Sequence, residues 1–266
     1  MSVTRGTFLK ALGKSIPGMV LGGGVATAAR TLLGKMAAAS GATEFPAPAN
    51  QEAAQAAKIE FITSGPPDGN RIALTFDDGP TPGVTDLILD ELQKRKLHAT
   101  FFMIGERIAA APHLARRVLA EGHEAGNHTF THPKLTTLAD EQADAEIQKT
   151  QDIMGEVLNH RPAWFRPPYG ALRQNQAGML AGRGLGIVLW SVDSQDWSQP
   201  GEAKIAGTVL AETRPGSIIL CHDVHRQTAD GVGPILDGLL ERGFTFATLS
   251  ALMRRPATFS ITPPRE

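Results

Sequence analysis

The chain has 266 residues, of which 42% are hydrophobic and 20% charged, with a formal net charge of -1. That length suits one large α/β domain, and a near-neutral balance without a basic stripe argues against a nucleic-acid partner. A single cysteine, Cys221, excludes an internal disulfide and a cysteine-rich zinc site.

Residues 1–42 read as an export signal. Arg5, Lys10 and Lys14 form a positive head, and Ile16 to Ala29 is small, apolar and uncharged. Ala37-Ala38-Ala39 and Ser40-Gly41-Ala42 then offer small-residue cleavage sites, so the mature chain is expected to begin near Ser40 or Thr43. The apolar run is shorter than the ~20 residues of a bilayer span, and no stable membrane span is expected in the mature chain. Thr4 to Lys10 resembles a twin-arginine export signal, with Gly6 where a second arginine would stand. The bland alternative is an N-terminal arm of a cytoplasmic protein. Residues 43–66 form a lead-in rich in Ala, Pro and Gln.

After the turn signal Pro66-Pro67-Asp68-Gly69-Asn70, strand-like and helical patterns alternate. Arg71 to Phe76 reads as a strand and Val84 to Leu97 as a helix with Val84, Leu87, Ile88 and Leu92 on one face. Ala99 to Ile104 is a strand, and Pro112 opens a helix ending near Gly122. His123 to Asn127 is a strand, and Thr137 caps a helix running to about Asn159. Trp164 to Arg166 is a strand, followed by a helix from Gln174 to Ala181. Gly186 to Val192 is one strand, Glu202 to Glu212 a helix, and Gly216 to Leu220 a strand. A helix from Pro234 to Arg242 and a strand from Phe244 to Thr248 complete about seven strand–helix units.

That alternation fits a parallel sheet, open or closed. The polar residues favour a distorted (β/α) barrel. Asp77 and Asp78, His128, Arg166, Asp193 and Asp196, and His222 all follow expected strands, and in α/β barrels the active site collects at strand C-terminal ends.

Thr75-Phe76-Asp77-Asp78-Gly79-Pro80 carries two consecutive carboxylates. Successive strand side chains face opposite ways, so only a bend lets both face one site, where one could bind a cation and the other act as a base. Alone, the stretch is equally a solvated turn. His128 and His132 are four apart, a spacing that aims both rings at one point on a helical turn. Two imidazoles and a carboxylate are a familiar catalytic metal set. His98, His113, His123, His160 and His225 lack a partner at that spacing and read as structural or surface residues. Arg166-Pro167-Pro168-Tyr169-Gly170 offers a cation on a rigid loop, to pair with a catalytic carboxylate or lie in solvent. Asp193-Ser194-Gln195-Asp196-Trp197 puts carboxylates beside an indole, or simply caps the next helix. Leu220-Cys221-His222-Asp223 ends an apolar strand on a histidine, which alone would more often be a core residue.

In order and spacing, DDGP, HTFTHP, RPPYG, DSQDW and LCHD resemble the motifs of the polysaccharide deacetylases, carbohydrate esterases of family four, over roughly Ile72 to Leu249. The resemblance implies a distorted barrel across residues 67–256, followed by a tail at 257–266. It implies a divalent metal, usually zinc, and hydrolysis of N-acetyl groups on an N-acetylated glycan such as peptidoglycan, a chitin-like polymer or an exopolysaccharide. Asp78, His128 and His132 would be the metal ligands, Asp77 the base, and His222 the acid. Arg166 would orient Asp77, and Asp196 would pair with His222. The backbone N–H of Tyr169 would stabilise the oxyanion, with Trp197 and Leu220 walling the acetyl methyl pocket. Two alternatives stand beside this: the same fold acting on a small amide or cyclic imide, and an inactive glycan-binding module. The second would be expected to lack the base or the acid.

Overall fold

A computed structural model describes residues 61–254. The expected export signal, its cleavage site and the C-terminal tail lie outside the described residues. Within them, no helix is long and apolar enough to cross a membrane.

The elements in chain order begin β1 (Phe61–Ile62), β2 (Arg71–Asp77), α1 (Thr85–Lys94), β3 (Thr100–Met103), α2 (Gly105–Ala110) and α3 (Pro112–Ala120). Then come β4 (Glu124–Asn127), α4 (Asp140–Leu158), β5 (Trp164–Phe165), α5 (Gln174–Gly182), β6 (Gly186–Val188) and β7 (Val192–Asp193). The rest are α6 (Glu202–Glu212), β8 (Ile218–His222), α7 (Arg226–Glu241), β9 (Thr245–Phe246) and α8 (Leu249–Met253). Every ladder is parallel, in the order β1-β6-β5-β4-β3-β2-β8-β7, with β9 also on β2.

That order requires a curled sheet. β6 and β7 stand six positions apart in the ladder, about 29 Å in a flat sheet at ~4.8 Å per strand. Only residues 189–191 join them, and four extended peptide steps reach at most about 14 Å. The two sides of the sheet must therefore swing together into a distorted barrel, as expected. The same geometry corrects the reading of Gly186 to Val192 as one strand. The chain leaves β6 and crosses the gap, with the Leu189 N–H on the Ile62 carbonyl and the Ser191 N–H on that of Ile218. It then resumes as β7 on β8.

Alternation divides the core. Outward residues of β2, β3 and β8, among them Leu74, Phe76, Phe101, Ile219 and Cys221, pack beneath helices whose Ile88, Leu92, Val232, Ile235 and Leu239 are buried. Inward-facing Ala73, Phe102, Trp164, Val188 and Ile218 fill the barrel with Ile62, Leu249 and Leu252. Gly126 and Gly186 make room for the rings: a Cβ at either would lie 2.4 Å from Phe102 or 2.5 Å from Trp164.

Two helix starts differ from the expected ones, and two short helices are additional. α4 starts at Asp140, not beside Thr137, because Thr137 ends a preceding 3-10 turn with its hydroxyl on the Lys134 carbonyl. The N-cap is Ala139, whose N–H donates to the Gln142 side chain at 3.1 Å. Pro234 lies inside α7 instead of opening it, since the buried stripe Thr228, Val232, Ile235, Leu239 carries the helix through the missing N–H. α2 and α8 are short helices that periodicity did not reveal.

The N-terminal end of the barrel is closed by a buried polar cluster. Glu124 accepts from the Ser250 N–H at 2.9 Å and the Thr100 hydroxyl at 3.3 Å, and also from the Ser250 hydroxyl. Trp164 Nε1 donates to Ser250 Oγ at 2.7 Å. Burial pushes the Glu124 carboxyl up, opposed by the bonds from Ser250, Thr100 and Trp164. Glu124→Ala would leave several buried donors without an acceptor, so we expect a loss of about 2–4 kcal/mol. Urea unfolding should show it as a lower midpoint with little change of slope; an unchanged midpoint would contradict this role for Glu124.

Candidate active site

β2 delivers Asp77, and the chain then bends sharply: Asp78 holds φ 77°, the left-handed region that few non-glycine residues adopt. The bend turns both carboxylates to one place, as two adjacent acids sharing a site require. Asp77 Oδ2 lies 3.7 Å and Asp78 Oδ1 3.4 Å from His128 Nε2, and Asp78 Oδ1 is 3.2 Å from His132 Nε2.

The two histidines do converge, but not through a helical turn. Residues 128–132 form a loop in which Thr129 and His132 are both left-handed, at φ 68° and 59°. Three elements hold it. Asn127 Oδ1 accepts from the Thr129 N–H at 2.9 Å. The first N–H groups of α2, from Gly105 and Glu106, donate to the carbonyls of Thr129 and Phe130. Glu146, on α4, accepts from the N–H groups of Phe130 and Thr131 at 3.0 and 2.7 Å.

Arg166 ties this loop to Asp77. Its guanidinium is fully buried and donates through one nitrogen to Asp77 Oδ1 and Thr75 Oγ1, both at 2.7 Å, and through another to the Leu189 carbonyl at 2.9 Å. It lies over the Phe102 ring at 4.2 Å. Its own carbonyl accepts from His128 Nδ1 at 2.7 Å. A carbonyl can only accept, so Nδ1 carries a proton, and Nε2 is the ring nitrogen that faces Asp78.

Asp78, His128 and His132 fit a metal ion. One ligand atom from each lies within 4.8 Å of the others, and the buried Asp78 Oδ1 lacks a hydrogen-bond partner. Burial works against charge on Asp78, but the flanking imidazoles outweigh it and hold the carboxyl below its usual range. An ionised oxygen without a donor, faced by two imidazole nitrogens, is a cradle for a cation.

Across the site, β8 ends at His222. Asp196, fully buried, grips it twice: Oδ1 accepts from His222 Nδ1 at 2.6 Å and Oδ2 from its backbone N–H at 2.7 Å. Burial disfavours the imidazolium, but the hydrogen bond and charge of Asp196, aided by Asp77 and Asp78, raise the His222 pKa to about 9. With Nδ1 occupied, Nε2 is the free end. Asp196 is steadied by Thr228 on α7, whose hydroxyl donates to Oδ2 at 2.6 Å. Neither Thr228 nor Thr75 stands out in the sequence; each is a buried hydroxyl far along the chain from the partner it holds, Thr228 from Asp196 and Thr75 from Arg166.

Tyr169 is left-handed (φ 59°, ψ 14°), 67% exposed, and edge-on to His132 with ring centroids 4.9 Å apart. Trp197 lies in the 3-10 turn Asp196–Ser198 and is 58% exposed. Leu220 is buried two residues before His222, on the same side of β8. Asp193 does not cap the next helix; its carboxylate closes a local turn on the Gln195 N–H at 2.8 Å. His123 is a core residue, accepting from the Ala99 N–H and pushed down to about 4 by burial, with His98 and Arg117 adding.

Comparison with known proteins identifies the fold and the family. The family model for polysaccharide deacetylase matches residues 64–187. The chain is 40% identical over 186 residues to the peptidoglycan-N-acetylmuramic acid deacetylase PdaC of Bacillus subtilis, a match covering 70% of this chain but 39% of that longer protein. It is 37% identical to a chitooligosaccharide deacetylase of Rhizobium leguminosarum bv. trifolii, covering 72% of this chain and 95% of that one. A crystal structure of a peptidoglycan N-acetylglucosamine deacetylase superposes with a TM-score of 0.73 at 34% identity, covering 75% of this chain and 95% of that chain. With its curled parallel sheet and motif residues gathered at one end, the chain belongs to the polysaccharide deacetylase family.

Proposed function

We propose that residues 67–256 are the catalytic domain of a metal-dependent hydrolase that removes N-acetyl groups from an amino-sugar polymer and releases acetate. The observation that carries this reading is the pairing of two held groups around one cation cradle: Asp77 fixed by Arg166, and His222 fixed by Asp196.

A divalent cation on Asp78, His128 and His132, zinc by that ligand chemistry, would polarise the acetyl carbonyl and acidify the attacking water. Asp77 accepts the water's proton on Oδ2 while Arg166 holds Oδ1. The N–H of Tyr169 donates to the acetyl carbonyl oxygen, where negative charge develops as water adds to the carbon. His222 gives the proton on Nε2 to the amide nitrogen, without which the amine is a very poor leaving group. The C–N bond then breaks to give acetate and a free amine. Leu220 and Trp197 border the acetyl methyl group. The exposed rings of Tyr169 and Trp197 flank the catalytic end, which suits a sugar more than a small imide.

The relatives named above act on peptidoglycan or chitooligosaccharides. A cell-wall substrate lies outside the cytoplasm, in keeping with residues 1–42 as an export signal. Acetate release from peptidoglycan strands, acetylated chitooligosaccharides and small amides or cyclic imides tests the substrate class. Turnover confined to the small compounds would overturn the polymer reading, and no turnover of any of them would favour an inactive binding module.

The acid assignment predicts a pH dependence. His222 serves while protonated, so kcat/KM should fall on the basic side at or somewhat below about 9, because a nearby cation opposes Asp196. Asp196→Asn removes the partner that raises the pKa, and the limb should move down toward the ordinary imidazole value of 6.5. An unmoved limb would refute the Asp196–His222 pairing while leaving the metal site untouched.

A further inference from the structure

Asp223 is the residue after the expected acid. Its side chain is fully buried and has no place in the chemistry above. Its carboxylate reaches across to the loop after β2: Oδ1 accepts from the Gly79 N–H at 2.8 Å and Oδ2 from the Thr85 hydroxyl at 2.6 Å. Its own N–H donates to the Asp77 carbonyl at 3.1 Å. One residue therefore holds the backbone on both sides of Asp78, at Asp77 through its main chain and at Gly79 through its side chain. The fit is close, since a Cβ at Gly79 would lie 1.9 Å from Asp223 Oδ2.

What lies between these two anchors is the left-handed Asp78. A non-glycine residue is disfavoured there relative to ordinary backbone, so the surrounding structure must hold it. Relaxation at Asp78 would swing its carboxylate away from His128 and His132. We propose that Asp223 is a positioning residue for the metal centre: it clamps the backbone around Asp78, fixes the direction of that ligand, and so sets the affinity for the cation. This rests on Asp78, His128 and His132 as the metal ligands.

The clamp makes a demand that charge alone would not. Asn at 223 keeps an oxygen for the Gly79 N–H and can donate its amide to Thr85, but removes the negative charge near the site. Ala removes the side-chain bond and the charge, and keeps only the main-chain anchor at Asp77. The test is zinc affinity of the full-length protein, measured by competition with a chromophoric chelator, with thermal unfolding of each metal-free variant in parallel. Asp223→Ala should bind zinc about 10–100-fold more weakly, the range for a lost partner of a ligating group. Asp223→Asn should stay within about threefold of the wild type, rescuing the ligand geometry. A purely structural role would lower the unfolding temperature of Ala and leave zinc affinity unchanged, which would overturn the proposal. An Asn variant as weak as Ala would also overturn it, because charge rather than the bond would then matter. If Ala does not fold, Asn decides alone: affinity within threefold supports the clamp, and a loss above tenfold refutes it. A wild-type protein that binds no zinc would instead defeat the metal-site reading on which the clamp depends.

Discussion

The His128→Ala, His132→Ala double variant should retain no bound metal and release no acetate. Both imidazoles present nitrogen toward the same carboxylate oxygen, 3.4 and 3.2 Å away. A single carboxylate is a weak site for a borderline-soft cation that favours nitrogen. The fold should survive, because His132 lies in a loop held mainly through backbone bonds to Asn127, α2 and Glu146. Elemental analysis of the purified variant, with circular dichroism to confirm folding, checks this. Full metal occupancy would sink the assignment of the ligands.

The Asp77→Asn variant should do the opposite with the metal and nearly the same with activity. Asp77 is not in the ligand set, and asparagine can still accept from Arg166 through its amide oxygen. The amide cannot take a proton at working pH, however, so turnover should fall by about a hundredfold or more. Metal content should stay near that of the wild type. Near-normal kcat at full occupancy would show that the base lies elsewhere.

Much of this site was legible because its parts are strand-ending polar residues. Asp77, His222 and Asp193 close β2, β8 and β7, and His128 and Arg166 directly follow β4 and β5. Parallel strands bring such ends together whatever their separation in sequence. The bend at Asp78 could be anticipated too, since two adjacent carboxylates cannot otherwise share one site. The local conformation of the histidine loop could not. A spacing of four suggests a helical turn, whereas left-handed Thr129 and His132, braced by Glu146 and α2, achieve the same convergence. The supporting shell was also hidden. Thr228 reaches Asp196 from 32 positions away, Arg166 reaches Thr75 across 91, and Asp223 reaches Gly79 across 144. No local pattern marks a hydroxyl or carboxylate whose partner is set only by the closed sheet. The merged strand at Gly186 to Val192 failed for a related reason: its hydrophobic run is continuous, but the barrel seam it crosses is a property of the whole sheet.

The central claim is that a cation on Asp78, His128 and His132 makes this chain an amide hydrolase of N-acetylated glycans. The most direct test follows acetate release from an acetylated glycan by the wild-type protein as purified, after chelation, and after zinc is restored in stoichiometric amount. The account predicts release that disappears with the metal and returns with it. Acetate release that persists in protein shown to be metal-free would contradict it.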